Sequence, residues 1–130
     1  MPLQVQVVTP ERELLVEDDA TFVAVRALGG DMGIMPGIAP QLAALGTGPV
    51  KIVTATGERK MLVDGGFLIV KDDRVTILAE YAVTPDEFDA TTVSAEIEEL
   101  KRRLLTETEN EQLRKDLARR EAMQGMIQVG

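Results

Sequence analysis

The sequence predicts an α+β chain, with an all-β first part folded as a sandwich or a barrel and two helices after it. Three observations carry this. Apolar runs separated by turns recur every ~8 to 12 residues as far as Ala79, the spacing of a sandwich or barrel. Composition changes at Val83-Thr84-Pro85; no proline follows, and the good helix formers Glu, Arg, Lys, Ala and Leu dominate. Beyond that point Val93, Ile97, Leu100 and Leu104 fall at i, i+4, i+7 and i+11, one narrow apolar helix face. The break divides residues 1–84 from residues 85–130.

Leu3, Val5 and Val7 alternate with Gln4 and Gln6, which predicts a half-buried strand. Thr9-Pro10-Glu11-Arg12 is a turn, and Leu14 to Val16 a short second strand. Acidic Glu17-Asp18-Asp19 is expected to break the pattern before Phe22, Val23 and Val25 resume it. After Gly48-Pro49, Val50 to Val53 reads as a strand, and Thr56-Gly57-Glu58 as a hairpin turn into Met61-Leu62-Val63. Asp64-Gly65-Gly66 is a bulge or bend, Phe67 to Val70 continues, Lys71-Asp72-Asp73 turns, and Val75 to Ala79 closes the β series.

The stretch from Ala27 to Ile52 is the most punctuated, with six of the eleven glycines and three of the six prolines. Glycine permits positive φ, proline fixes φ and removes a donor, and paired breakers mark bends. Met32, Ile34, Met35, Ile38, Leu42 and Leu45 lie between them. Short strands and a loop follow, the loop either packing inward or offering an apolar docking surface.

In the second part, Ser94 or Thr92 is placed to cap the first helix, with Glu96, Glu98 and Glu99 early and Lys101, Arg102 and Arg103 late, as the helix dipole favours. Residues 106–110 form a connector. A second helix carries Leu113 and Leu117 on one face, with Met123, Met126 and Ile127 near its end. Such a hairpin of about 40 residues is too thinly apolar to stand alone.

The bulk numbers exclude several functions. With no cysteine and no histidine, the usual zinc sites and any histidine-based triad are absent. A net charge of −8 and a pI near 4.6 argue against nucleic acid as a partner. The halves carry the same balance, seven basic against eleven acidic residues each, so neither is a basic arm. No run approaches the ~20 apolar residues of a spanning helix, and MPLQVQVV is not a secretory signal. Gly29-Gly30-Asp31-Met32-Gly33 and Gly46-Thr47-Gly48 lack the Lys-Ser/Thr ending of a phosphate loop. Ser94, the only serine, has no histidine to activate it. These observations describe a binding module, with no catalytic residues and no metal site expected.

Two stretches then become specific together. Gly30-Asp31-Met32-Gly33-Ile34-Met35-Pro36-Gly37-Ile38-Ala39-Pro40 resembles the G-E-L/M-G-I-L-P-G-H-A-P segment of the epsilon subunit of F-type ATP synthases. Val63-Asp64-Gly65-Gly66-Phe67-Leu68-Ile69-Val70, followed by Val75-Thr76-Ile77-Leu78-Ala79, is similar to that family's V-S-G-G-F-L-E-V and V-T-I-L-A signature. The resemblance covers nearly the whole chain. It implies an antiparallel β-sandwich that docks on the rotor, followed by a regulatory antiparallel two-helix hairpin.

The resemblance also implies a role. Subunits of this family belong to the central stalk, bind gamma and rest on the membrane ring of c subunits, helping to couple proton flow to ATP synthesis. Asp31, Met32, Ile34, Pro36 and Ile38 would line the docking region; Ile38 replaces the family's usual histidine. The family's hairpin can extend into the catalytic head and inhibit hydrolysis, which makes Arg114, Lys115, Arg119 and Arg120 candidates for contacting the alpha and beta subunits. Some relatives bind ATP at the hairpin through an I/L-D-x-x-R-A motif. The matching residues here, Phe88-Asp89-Ala90-Thr91-Thr92-Val93, keep Asp89 but place Thr92 where the arginine belongs, so a main phosphate contact is lost and no cofactor is expected. An ATP-sensing binding module is the alternative. The expected location is the cytoplasmic side of a bacterial inner or plasma membrane, held there only through the complex; the absence of a transit peptide favours a bacterial or plastid-encoded chain.

Overall fold

In the computed structural model, residues 2–129 are described, with side chains described through residue 126, so the expectation for Ile127 lies outside them. The chain divides into two compact units, Met1–Val83 and Thr84–Gly130. The first holds β1 (Leu3–Val8), β2 (Glu13–Ala27), β3 (Gly30–Ile34), β4 (Gln41–Thr54), β5 (Gly57–Lys71), β6 (Arg74–Ala79) and β7 (Ala82–Val83). The second holds a 3-10 turn (Pro85–Glu87), α1 (Ala90–Leu104) and α2 (Glu111–Val129). The α+β class is as the sequence predicts.

The strands run in the order β1-β6-β5-β4-β2-β3, and β1 also pairs with β2, so the ladder closes on itself. Every pairing is antiparallel except β1 with β6. Alternation decides which side faces in: Leu3, Val5 and Val7 are buried while Gln4 and Gln6 face out. They join Val23, Ile34, Ile52, Met61, Leu68 and Ile77 in one apolar cluster. Such burial is the main stabilising contribution to a cysteine-free domain.

Three expected interruptions are instead continuous strand. Glu17-Asp18-Asp19 lies within β2, because the acidic side chains point away from the core and a bulge absorbs the extra residue: Leu3 pairs with Ala20 but Val5 with Glu17. Gly46-Thr47-Gly48-Pro49 lies within β4, which begins at Gln41 rather than Val50. There β4 keeps one register with β5 while its ladder to β2 lapses between Leu45 and Lys51, where a proline's missing donor is tolerated.

Asp64-Gly65-Gly66 is a bend and not a bulge, since the β4–β5 register is the same on both sides of it. β7, which the sequence pattern did not mark, continues the register of β6 along β5: Gly66 faces Ala79, and Val63 faces Ala82. At the bend Gly66 has φ +124°, and a Cβ there would lie 2.0 Å from the Leu78 carbonyl oxygen. Only glycine lets the two strands turn together at that separation.

The second unit is an antiparallel helical hairpin. It buries Val93 and Ile97 from α1 and Leu113 and Met123 from α2. Arg120 Nε meets Glu96 Oε2 at 2.7 Å and Gln124 Nε2 donates to Ser94 Oγ at 3.3 Å, both across the helix pair. The cap of α1 is Asp89, not Ser94 or Thr92: its carboxylate accepts from the Thr92 backbone N–H at 3.0 Å. The connector also ends in a cap, Asn110 Oδ1 accepting from the Leu113 N–H at 3.1 Å.

Candidate docking surfaces

The β2–β3 hairpin and the loop after it place the residues singled out in the sequence. Arg26 and Asp31 are opposed in the ladder, and Arg26 Nε lies 2.5 Å from Asp31 Oδ1. Both are solvent-exposed, so the pair adds little stability; what it does is present a cation and an anion side by side at the strand end. The Arg26 stem passes over Gly48, where a Cβ would come within 2.8 Å of the Arg26 Cβ. That contact explains the glycine without any phosphate-binding role.

Next, Met35, Pro36, Gly37 and Ile38 form a β-turn closed by the Ile38 N–H donating to the Met35 carbonyl at 3.3 Å. Gly37 has φ +85°, and proline followed by a left-handed glycine is the pattern of a type II turn. Asp31, Met35 and Pro36 are exposed; Met32 and Ile38 are half-buried and pack on the core. Ile34 is a correction: it is 0% exposed and pairs with Val23, so it is a core residue beneath the loop and offers no surface of its own.

A second surface was not singled out. On the outer face of β4, β5 and β6, Leu42 (71% exposed) pairs with Ile69, and Phe67 (52% exposed) with Leu78. These four large apolar side chains form one uncovered patch, the kind that marks an interaction site. The signal was the unbroken run Phe67-Leu68-Ile69-Val70. A strand with one wet face alternates, whereas this strand is apolar on both.

The hairpin cations are not gathered on one face. Helical geometry sets Arg114 and Arg120 about 120° apart around α2. Arg120 is held by Glu96, and Arg114 donates to the Thr108 carbonyl and lies 3.7 Å from Glu111. Lys115 is exposed and Arg119 half-buried. At the hairpin entry both Asp89 oxygens are engaged by Thr92, the second accepting from its hydroxyl at 2.9 Å. The Thr92 backbone N–H, and then its hydroxyl, hold the Asp89 carboxyl below the usual aspartate range. Among the described residues no group of His, Cys, Asp or Glu is arranged to hold a metal, and no helix is long and apolar enough to cross a membrane.

A β-sandwich that carries a two-helix hairpin and offers a loop and an uncovered sheet face defines a class, a docking subunit of a larger assembly. Residues 2–85 match the beta-sandwich domain of the ATP synthase delta/epsilon chain family. An ATP synthase epsilon chain of Brevibacillus brevis is 44% identical over 103 residues, covering 78% of this chain and 77% of its own. The chain belongs to the family of ATP synthase epsilon chains. In fold it is similar to a chain of the Euglena gracilis mitochondrial ATP synthase OSCP/F1/c-ring structure, with TM-score 0.83, 19% identity, and coverage of 97% of this chain and 81% of that one. It is also similar to a chain of the Tetrahymena thermophila mitochondrial ATP synthase central stalk/c-ring, with TM-score 0.57, 23% identity, and coverage of 67% and 69%.

Proposed function

We propose that this chain is a non-catalytic central-stalk subunit of a rotary ATP synthase. In this reading it couples proton-driven rotation to ATP synthesis and restrains ATP hydrolysis through its hairpin. Its site is the cytoplasmic side of a bacterial membrane, where it is peripheral and held by the complex. The family carries the subunit identity. The observation that carries the docking role is the apolar patch of Leu42, Phe67, Ile69 and Leu78, which loses contact with water only when a partner covers it.

Two surfaces of different chemistry suit two partners. The apolar face suits gamma, a lasting partner, because permanent interfaces are the more hydrophobic ones. The loop with Asp31, Met32, Pro36 and Ile38, and with Arg26 beside it, suits the polar loops of the c-subunit ring. Ile38 in place of histidine makes that contact insensitive to titration at this position. Replacing Phe67 and Leu78 together by serine is expected to abolish retention by gamma while the chain stays folded; undiminished retention sinks the assignment. Asp31→Ala/Ile38→Ala is expected to weaken rotor assembly and coupled synthesis.

For regulation, the hairpin must open before Arg114, Lys115, Arg119 and Arg120 reach acidic surfaces of the alpha and beta subunits, and opening breaks the Arg120–Glu96 pair. Deleting the residues after Thr106 is expected to raise hydrolysis in an assembled complex, and an unchanged rate removes the inhibitory role. The alternative, an ATP sensor, has less support: Thr92 stands where a guanidinium would grip phosphate, and Asp89 is occupied as a helix cap. Calorimetric titration decides this point, since saturable heat at micromolar ATP would restore the sensor reading.

A further inference from the structure

The turn between β5 and β6 holds two aspartates in the left-handed region, Asp72 at φ +52° and Asp73 at φ +59°. A two-residue hairpin turn with both φ values positive favours Asn-Gly or Asp-Gly, because a side chain at the second position is strained there. Glycine at 73 would relieve the backbone. A carboxylate is kept instead, and it is occupied: Asp73 Oδ1 accepts from the Gly37 N–H at 2.8 Å, across 36 residues of chain. The Asp73 carbonyl also accepts from the Gln4 N–H at 2.8 Å, so the strained residue is fixed to β1 as well.

The other end of that bond is the Met35–Ile38 turn. In a type II turn the central peptide, here between Pro36 and Gly37, is flipped relative to type I, and its N–H leaves the turn without an internal partner. Asp73 supplies the acceptor on the side to which the type II peptide points its N–H. In a type I turn that donor faces the other way and the bond is lost. The carboxylate therefore selects one of two peptide orientations and with it the direction in which exposed Met35 and Pro36 project. A backbone outlier maintained by its surroundings is where functional strain is sought.

We propose that Asp73 is a positioning residue: it holds the Met35–Ile38 turn in the shape in which that loop docks on the ring. This rests on the reading of the loop as a docking surface, and the variants separate the two ideas. Asp73→Gly removes the acceptor and relieves the left-handed strain together, so misfolding does not mimic the effect. In the full chain, exchange of the Gly37 amide is expected to become about tenfold faster, the equivalent of one lost hydrogen bond. The Tm is expected to stay level or rise, and retention by the assembled gamma–c-ring rotor to weaken by about tenfold. Asp73→Asn keeps a side-chain oxygen and tolerates positive φ, so both readouts are expected to remain near those of the parent chain. Unchanged Gly37 exchange in Asp73→Gly overturns the proposal, and so does faster exchange with undiminished retention while Asp31→Ala/Ile38→Ala weakens retention. If neither variant changes retention, the docking reading itself fails and takes this role with it.

Discussion

The two units of this chain are held together in different ways. In the β unit nineteen buried apolar residues form one cluster inside a ladder that closes on itself, so non-local pairing and burial reinforce each other. In the hairpin, among the described residues, four apolar side chains are buried, and much of what fixes the helices is polar: caps at Asp89 and Asn110 and the Arg120–Glu96 pair. Burial of apolar area is worth far more than exposed polar contacts in water. The difference is a division of stability, with most of the apolar burial in the β unit and little in the hairpin. Elements that move are drawn from that low-stability end.

The contrast is open to test from its strongest side downward. Gly66→Ala sets a Cβ against the Leu78 carbonyl at the strand bend; we expect a loss of about 3 kcal/mol or more and a broad collapse of the β unit in urea unfolding. If Gly66→Ala unfolds at the parent midpoint, the bend is not what the closed ladder depends on. Ile97→Ala should remove about 2 to 4 kcal/mol, but locally. Helicity at 222 nm falls while amide protection of β4 and β5 persists. Simultaneous loss of both would show that the units share one cooperative transition.

Glu96→Gln should be milder, below about 1 kcal/mol, since the pair it breaks is partly in water. It is expected to bring the helical transition to a lower temperature and leave the strand signal in place. Acid should act more weakly still. Asp89 and Glu99 have folded-state pKa values below the ordinary carboxylate value, through the Thr92 N–H and the Arg102 guanidinium respectively. Lowered values mean that their contribution is complete above the unfolded carboxylate range, from about pH 5 upward, and is lost as pH falls through the folded values, the unfolded chain binding more protons in between. Asp89→Asn keeps the cap without the charge, so its helicity should decline less as pH falls below the ordinary carboxylate range.

The sequence showed most where one face of an element is wet. Leu3, Val5 and Val7 in β1, and Val93 and Ile97 in α1, were legible from period alone. It misled where local chemistry and ladder geometry disagree. Glu17-Asp18-Asp19 and Gly46-Thr47-Gly48-Pro49 carry every mark of a loop, yet a bulge and a lapsed ladder keep them within strands. Of the proposed docking surfaces, the loop was visible as a motif, but Ile34 within it is core, because its partner Val23 faces inward on β2. The patch of Leu42, Phe67, Ile69 and Leu78 left only the trace of the unbroken run Phe67-Leu68-Ile69-Val70, since which face of an apolar strand stays bare depends on what packs against it. Asp73 was beyond reach for a related reason: Asp72-Asp73 reads as a solvated turn until the fold brings Gly37 to it.

The β4–β5 ladder runs from Gln41–Val70 to Thr54–Gly57 in a single register and through the bend at Gly66. Its open end adjoins the 35–40 loop on one strand and the Asp73 turn on the other, so a pull on that loop enters both strands at one end. A force directed along such strands loads many hydrogen bonds in parallel, whereas a force across them would break the bonds one at a time from the end. A pull that separates the two strands at that shared end therefore meets the ladder one bond at a time, while opposed pulls at its two ends would load the bonds together.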